Sequence, residues 1–304
     1  MKTMQNFLNT SLLAGAIAIG LCGTASAVDT QETFASPDAA AMALIAAAQS
    51  NDAKALDDIL GPSWKETLGS GDAAVDSAAL QQFVAKYERM HRWTAMTDGR
   101  EVLVVGADNY PYPIPLAKDG STWRFDASAG EREMATRRLG SNELLALDAV
   151  DVIAGAEEAY FARARQGEVA AYARDIVSAD GKRDGLYFVV AETEEPSPLA
   201  ELGEVIADRP ALKDPLVLDG YTFRILTAQG DSANGGAKSY VKNGAMTEGF
   251  AVLATPVHYG NSGIMSFLRG RDGVVYEKDL GENTGGIAVS IKAYEPGDGW
   301  KSVE

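Results

Sequence analysis

His91 and His258 are the chain's two histidines, so a three-histidine zinc centre is excluded. His91 precedes Arg92 and Trp93 where a helical pattern ends, a position at which a cation stabilises the negative end of a helix. His258 follows Pro256-Val257 near the end of a strand-like run, where an imidazole could serve as a general base. No Gly-x-Ser-x-Gly elbow is present, and Gly260-Asn261-Ser262-Gly263 is one residue too short for it and reads as a turn. Asp126, Glu131 and Glu133 lie close in sequence and could form the acid pair of a glycoside hydrolase. With 43 acids in the chain, such proximity also arises by chance. Asp180-Gly181-Lys182-Arg183-Asp184-Gly185 lacks the ligand series and closing glutamate of a calcium loop and reads as paired Asp-Gly turns. The glycine-rich run 231–239 has neither the spacing nor the strand-to-helix setting of a phosphate loop. No cofactor or metal is expected. Trp93, Tyr110, Tyr112 and Trp123 flank a proline-rich segment. Aromatics so placed either pack half-buried in a core or offer a platform to a sugar or peptide.

The start of the chain bounds where any of this chemistry could operate. Lys2, an apolar stretch from Phe7 to Leu21, and the small-residue exit Ala25-Ser26-Ala27 form a cleavable export signal at 1–27, with cleavage expected after Ala27. The apolar stretch is interrupted by Asn9, Thr10 and Ser11 and is too short to span a bilayer. No later segment is apolar for long enough, so no permanent membrane span is expected. The single cysteine, Cys22, follows the bulky Leu21, which disfavours a lipid anchor. Cleavage removes it, so the mature chain has neither a disulfide nor a thiol nucleophile. Formal net charge is −16 for the whole chain. Losing Lys2 leaves 26 basic residues against 43 acidic ones, or −17. That balance repels nucleic acid and suits a soluble protein in the periplasm or outside the cell.

The remaining length favours two α+β domains. Residues 28–35 read as a linker. Ser36-Pro37-Asp38 then starts a helix through the alanine-rich run, which breaks at 50–52 and resumes as a second helix stopped by Gly61-Pro62. Leu80, Phe83, Val84, Tyr87 and Met90 recur at helical spacing after Asp76-Ser77 and give a third. Strands follow at 101–105, 110–116 and 121–126, with Asp119-Gly120 as a hairpin turn. Pro111, Pro113 and Pro115 confine the middle strand to a sheet edge. This first domain, 36–140, packs helices on a curved antiparallel sheet. The second, 141–304, opens with a helix of about 25 residues capped by Ser141 and continues as an antiparallel meander. Its strands start at Leu186, Tyr221, Gly249, Gly263, Gly273 and Ile287. The long loop from Glu192 to Pro215 is a place to look for a partner.

The blocks at 109–144, 172–199, 219–230 and 272–284 together resemble the bacterial secreted family of unknown function numbered 2950. The resemblance covers nearly the whole chain after the signal; it implies export and assigns no activity. The first domain also resembles nuclear-transport-factor-2-like cones, which often hold an apolar pocket. The second is similar to the globular part of type IV pilin-like proteins, but its helix is internal and lacks their apolar spine. Three functions are expected, in this order: a non-enzymatic binding or envelope-assembly protein whose partner is an envelope protein, peptide or glycan; a hydrolase of cell-wall or extracellular polymer using a carboxylate pair or His258; and a pilin-like structural subunit.

Overall fold

The computed structural model describes residues 31–164, 169–191, 193–200 and 215–303. The signal at 1–27 lies outside them, as do residues 192 and 201–214 of the expected 192–215 loop.

Four helices come first. In α1 (Pro37–Ser50), the Ser36 side chain accepts from the Ala39 N–H at 3.1 Å, and Asn51 closes the helix in the left-handed region. In α2 (Ala53–Leu60), Asp52 caps the start and Gly61, at φ 91°, turns the chain out. The five-residue α3 (Trp64–Leu68) follows, unforeseen because its one strong apolar anchor, Trp64, stands just past a Gly-Pro stop. The expected third helix is α4 (Ala73–Arg89). It starts before Asp76-Ser77 because the Asp72 carboxylate caps Ala74 and Val75.

The first sheet is antiparallel: β1 (His91–Ala95), β2 (Glu101–Val105), β4 (Leu116–Asp119) and β5 (Thr122–Phe125) in that order, with the short β3 (Tyr110–Pro111) beside β2. The expected 110–116 strand is broken by its prolines. Tyr112 donates its N–H to Leu103 at 2.7 Å, while the alternate positions have no N–H to offer. Gly120, at φ 59°, makes the β4–β5 turn where Asp119 faces Thr122. The helices cover this sheet through Leu44, Leu56 and Leu60 packed with Leu103, Leu116 and Phe125. Phe34 joins that core and pairs with Trp123, so part of the expected 28–35 linker is tied to the sheet edge.

The largest departure is α5 (Ala127–Ala162), 36 residues in one helix. Ser141 was expected to cap it, but the cap is Asp126, whose carboxylate accepts from Ala129 N at 3.0 Å. Gly130 and Gly140 suggest a loop, yet Gly130 is buried against Ile114 and Glu133 pairs with Arg137 one turn on, at 2.8 Å. The expected domain boundary at 140/141 thus falls inside a helix. On either side of it, Arg138 and Asn142 bond Asn261 Oδ1 and Ser262 O, and the Glu143 carboxylate accepts from the N–H groups of Ile264 and Met265.

The second core lies under α5. Strands β6 (Asp175–Val177) and β7 (Gly185–Tyr187) pair in parallel. β8 (Leu216–Leu218) and β9 (Tyr221–Leu226) begin the main sheet. Two small ladders follow, β10 (Ala228–Gln229) with β11 (Lys238–Ser239) and β12 (Val241–Lys242) with β13 (Ala245–Met246). The sheet is completed by β14 (Ala251–Pro256), β15 (Met265–Gly270), β16 (Val275–Asp279) and β17 (Lys301–Ser302), in the order β17-β16-β15-β14-β9-β8, all antiparallel. β14 is buried at every position, with α5 packed against it and α6 (Thr284–Ser290) also in contact. The run from Ile287, expected as a strand, is partly this helix. The Arg224 guanidinium reaches across from β9 to the carbonyls of Ala288 and Ile291 and satisfies its last turn.

The continuity of α5 makes two glycines respond oppositely to alanine. At Gly130 an added Cβ would stand 2.6 Å from Ile114 Cγ1, and overpacking of that kind costs about 1–3 kcal/mol. At Gly140 nothing lies within 4 Å, so Gly140→Ala should stabilise by about 0.5–1 kcal/mol. Urea unfolding midpoints of the two variants check this; a Gly140→Ala variant without gain would mean that the helix is interrupted there.

Candidate functional site

The first core borders an open pocket. Between its helices and the proline-rich segment lies a cavity of ≈ 330 Å³. Leu44, Leu56 and Leu60 from α1 and α2 line it, with Trp64 and Leu68 from α3. One face of α4 runs along it, presenting Asp76, Ala79, Leu80, Phe83 and Lys86 at helical spacing. Gly69, Gln82, Tyr110, Tyr112, Pro113 and Met134 complete the wall. Phe83 and Tyr112 rings lie 4.9 Å apart, and burial pushes the Tyr112 phenol far above its ordinary pKa of 10.0. The Trp64 indole is oriented by a 2.6 Å bond from its Nε1 to Asp57. An apolar chamber with a few polar groups at its ends is the general form of a small-molecule site.

Those polar groups differ in sign along α4. At the N-terminal end, the Asp76 carboxylate accepts from Ser70 N and Ser70 Oγ at 2.7 Å each, bonds that hold it below its ordinary pKa. At the other end, Lys86 Nζ lies 2.6 Å from Asp108 Oδ2 and 5.1 Å from the Tyr110 ring centre. Arg137 stands over the same ring at 5.3 Å, its Nη2 donating to Pro111 O. Arg92 bonds Asn109 at 2.6 Å. The bond from Lys86, with Arg89 nearby, lowers the Asp108 pKa.

The four aromatic candidates divide. Tyr110 and Tyr112 line the cavity. Trp93 and Trp123 stand on β1 and β5, at opposite edges of the sheet. Trp93 donates to Asp38 at 3.0 Å, and Trp123 lies beneath Lys118 at 5.6 Å. The cavity wall from α2 and α3 was missed in the sequence. The sequence shows 53–60 as a short helix, but nothing in its spacing separates an apolar face that lines a cavity from one that fills it.

The acids and histidines do not converge. Asp126 caps α5 and lies 3.4 Å from Arg100, Glu131 accepts from Ser63, and Glu133 pairs with Arg137. His91 stacks on Tyr87 at 3.9 Å and meets the Tyr87 carbonyl at 3.0 Å, which places its ring at the C-terminal end of α4. His258 is exposed in a turn where Ser262 Oγ accepts from its N–H and donates to its carbonyl. Asp184 accepts from Ala179 N within the expected turn. Among the described residues no group of His, Cys, Asp and Glu is arranged to hold a metal ion, and no helix is long and apolar enough to cross a membrane.

A family model described as a protein of unknown function (DUF2950) matches residues 31–303. The chain belongs to the DUF2950 family. Searches of curated proteins and of solved structures found no match.

This DUF2950 protein also buries a carboxylate in its second core. Glu157 on α5 is 0% exposed; one oxygen accepts from Ala173 N at 2.9 Å and the other has no hydrogen-bond partner among the described residues. Burial raises its pKa well above the ordinary 4.5, against the opposing Ala173 bond and reinforced by Glu158. The folded state thus keeps a proton that the unfolded chain releases, so Glu157 lowers stability as pH rises from about 4.5 toward its folded value. Glu157→Gln cannot titrate. Its stability relative to the parent should be greater at neutral pH than near pH 4.5, measured by denaturant unfolding at both; an equal difference at the two pH values would contradict this account.

Proposed function

We propose that the protein is exported, with cleavage near Ala27, and works in the periplasm or outside the cell as a non-enzymatic binding protein. The ligand site is the chamber in its first α+β domain. The observation that carries this reading is the ≈ 330 Å³ cavity walled by Leu44, Leu56, Leu60, Trp64, Phe83 and Tyr112, a size within the range of small-molecule pockets. The apolar wall lies beside exposed positions of α4 such as Ala79, and a bound apolar molecule would remove that surface from water. The acidic surface is consistent with solubility after export. The separate engagement of Asp126, Glu131, Glu133 and His258 supports binding over hydrolysis.

Ala79 is exposed on α4 yet borders the cavity, so a larger side chain there can enter the chamber without displacing a core residue. Nile red should bind the parent protein saturably, with blue-shifted emission. Ala79→Phe should abolish that signal while leaving the unfolding midpoint nearly unchanged. Failure of the dye to saturate, or equal binding by the variant, would overturn the reading.

A further inference from the structure

The chamber's shape and the charge at one end restrict what it can hold. Asp76 and Lys86, which bound it along α4, are ten positions apart in the sequence, about 15 Å at the rise of an α-helix. A volume of ≈ 330 Å³ drawn out over that length accommodates one extended chain better than a fused-ring body. Between the two ends the α4 face contributes Ala79, Leu80 and Phe83, with the Gln82 amide the one hydrogen-bonding side chain among them. The ends are not equivalent. Asp76 is turned to Ser70, whereas the Lys86 end gathers cations around Tyr110: Lys86 and Arg137 over the ring, Arg92 on the neighbouring Asn109, and Arg89 close enough to act on Asp108. In a chain of net charge −16, four basic side chains gather here against two paired acids, Asp108 on Lys86 and Glu133 on Arg137. Asp108 already shows how a carboxylate sits on Lys86, at 2.6 Å.

Resting on the reading of the cavity as a ligand site, we infer that the ligand is a single-chain amphiphile with a carboxylate head. Its tail lies along α4, and its head meets Lys86 at the Tyr110 end, where it takes the place of the Asp108 carboxylate beside a ring that Arg137 also contacts.

Isothermal titration of the full mature chain with dodecanoate and with dodecanol, both below their aggregation limits, separates the two levels of the claim. Dodecanoate should bind at least about tenfold more tightly than the alcohol, in line with a charge-assisted bond. Lys86→Met and Arg137→Gln should each weaken the acid and leave the alcohol unchanged. Asp108→Asn removes the competing carboxylate and should tighten dodecanoate severalfold, a gain that a misfolded variant could not produce. Equal affinities for acid and alcohol, indifferent to all three substitutions but lost in Ala79→Phe, would overturn the head-group inference and leave the cavity reading intact. No binding of either probe by the parent would overturn both.

Discussion

The constraint on which the rest depends is the single helix from Ala127 to Ala162. Its first turns are fixed by the Asp126 cap and by the close approach of Gly130 to Ile114, so it leaves the first sheet in one direction only. Its later turns present Ala146, Val150, Ile153 and Ala154 to the second core, and the Glu143 carboxylate pins the start of β15 through two backbone N–H groups. One element therefore belongs to both cores. A turn of the same helix also places Met134 in the cavity wall and Arg137 beside Tyr110.

The cavity follows from how the first half is assembled. Four helices of unequal length cover a small antiparallel sheet, and the proline-rich segment that borders them cannot be drawn fully into the ladder because alternate residues lack an N–H. That segment keeps Tyr112 bonded to Leu103 while the aromatic side chains of Tyr110 and Tyr112 stay at the chamber. The short α3 swings Trp64 and Leu68 across another part of the wall. What results is a largely apolar pocket with basic side chains, paired with Asp108 and Glu133, at one end.

Much of the fold was legible in the sequence where local signals agreed. Ser36-Pro37-Asp38 and Asp52 mark helix starts by capping, Asp119-Gly120 marks a hairpin, and the runs from Tyr221, Gly249 and Gly263 have the composition of buried strands. The errors occurred where a tertiary contact outvoted a local signal. Gly140 and Ser141 suggest a break and a cap, but the helix is already running from Asp126 and its contacts to 261–265 carry it through. The β-branched run from Ile287 suggests a strand, yet Arg224 accepts the role of capping a helix there. Of the site, Tyr110 and Tyr112 were legible as aromatics beside prolines. Lys86 and the leucines of α2 were not, since a side chain bordering a cavity and one packed in a core have the same periodicity; only the three-dimensional arrangement distinguishes them.

The most direct test of the account is the position of a bound ligand. Nuclear Overhauser contacts between isotope-labelled dodecanoate and the methyl groups of the protein should place the terminal methyl near Leu60 or Leu68 and the carbons next to the carboxylate near Lys86 and Tyr110. Contacts confined to the second core or to the outer surface, or none at all, would contradict a ligand chamber beside the first core.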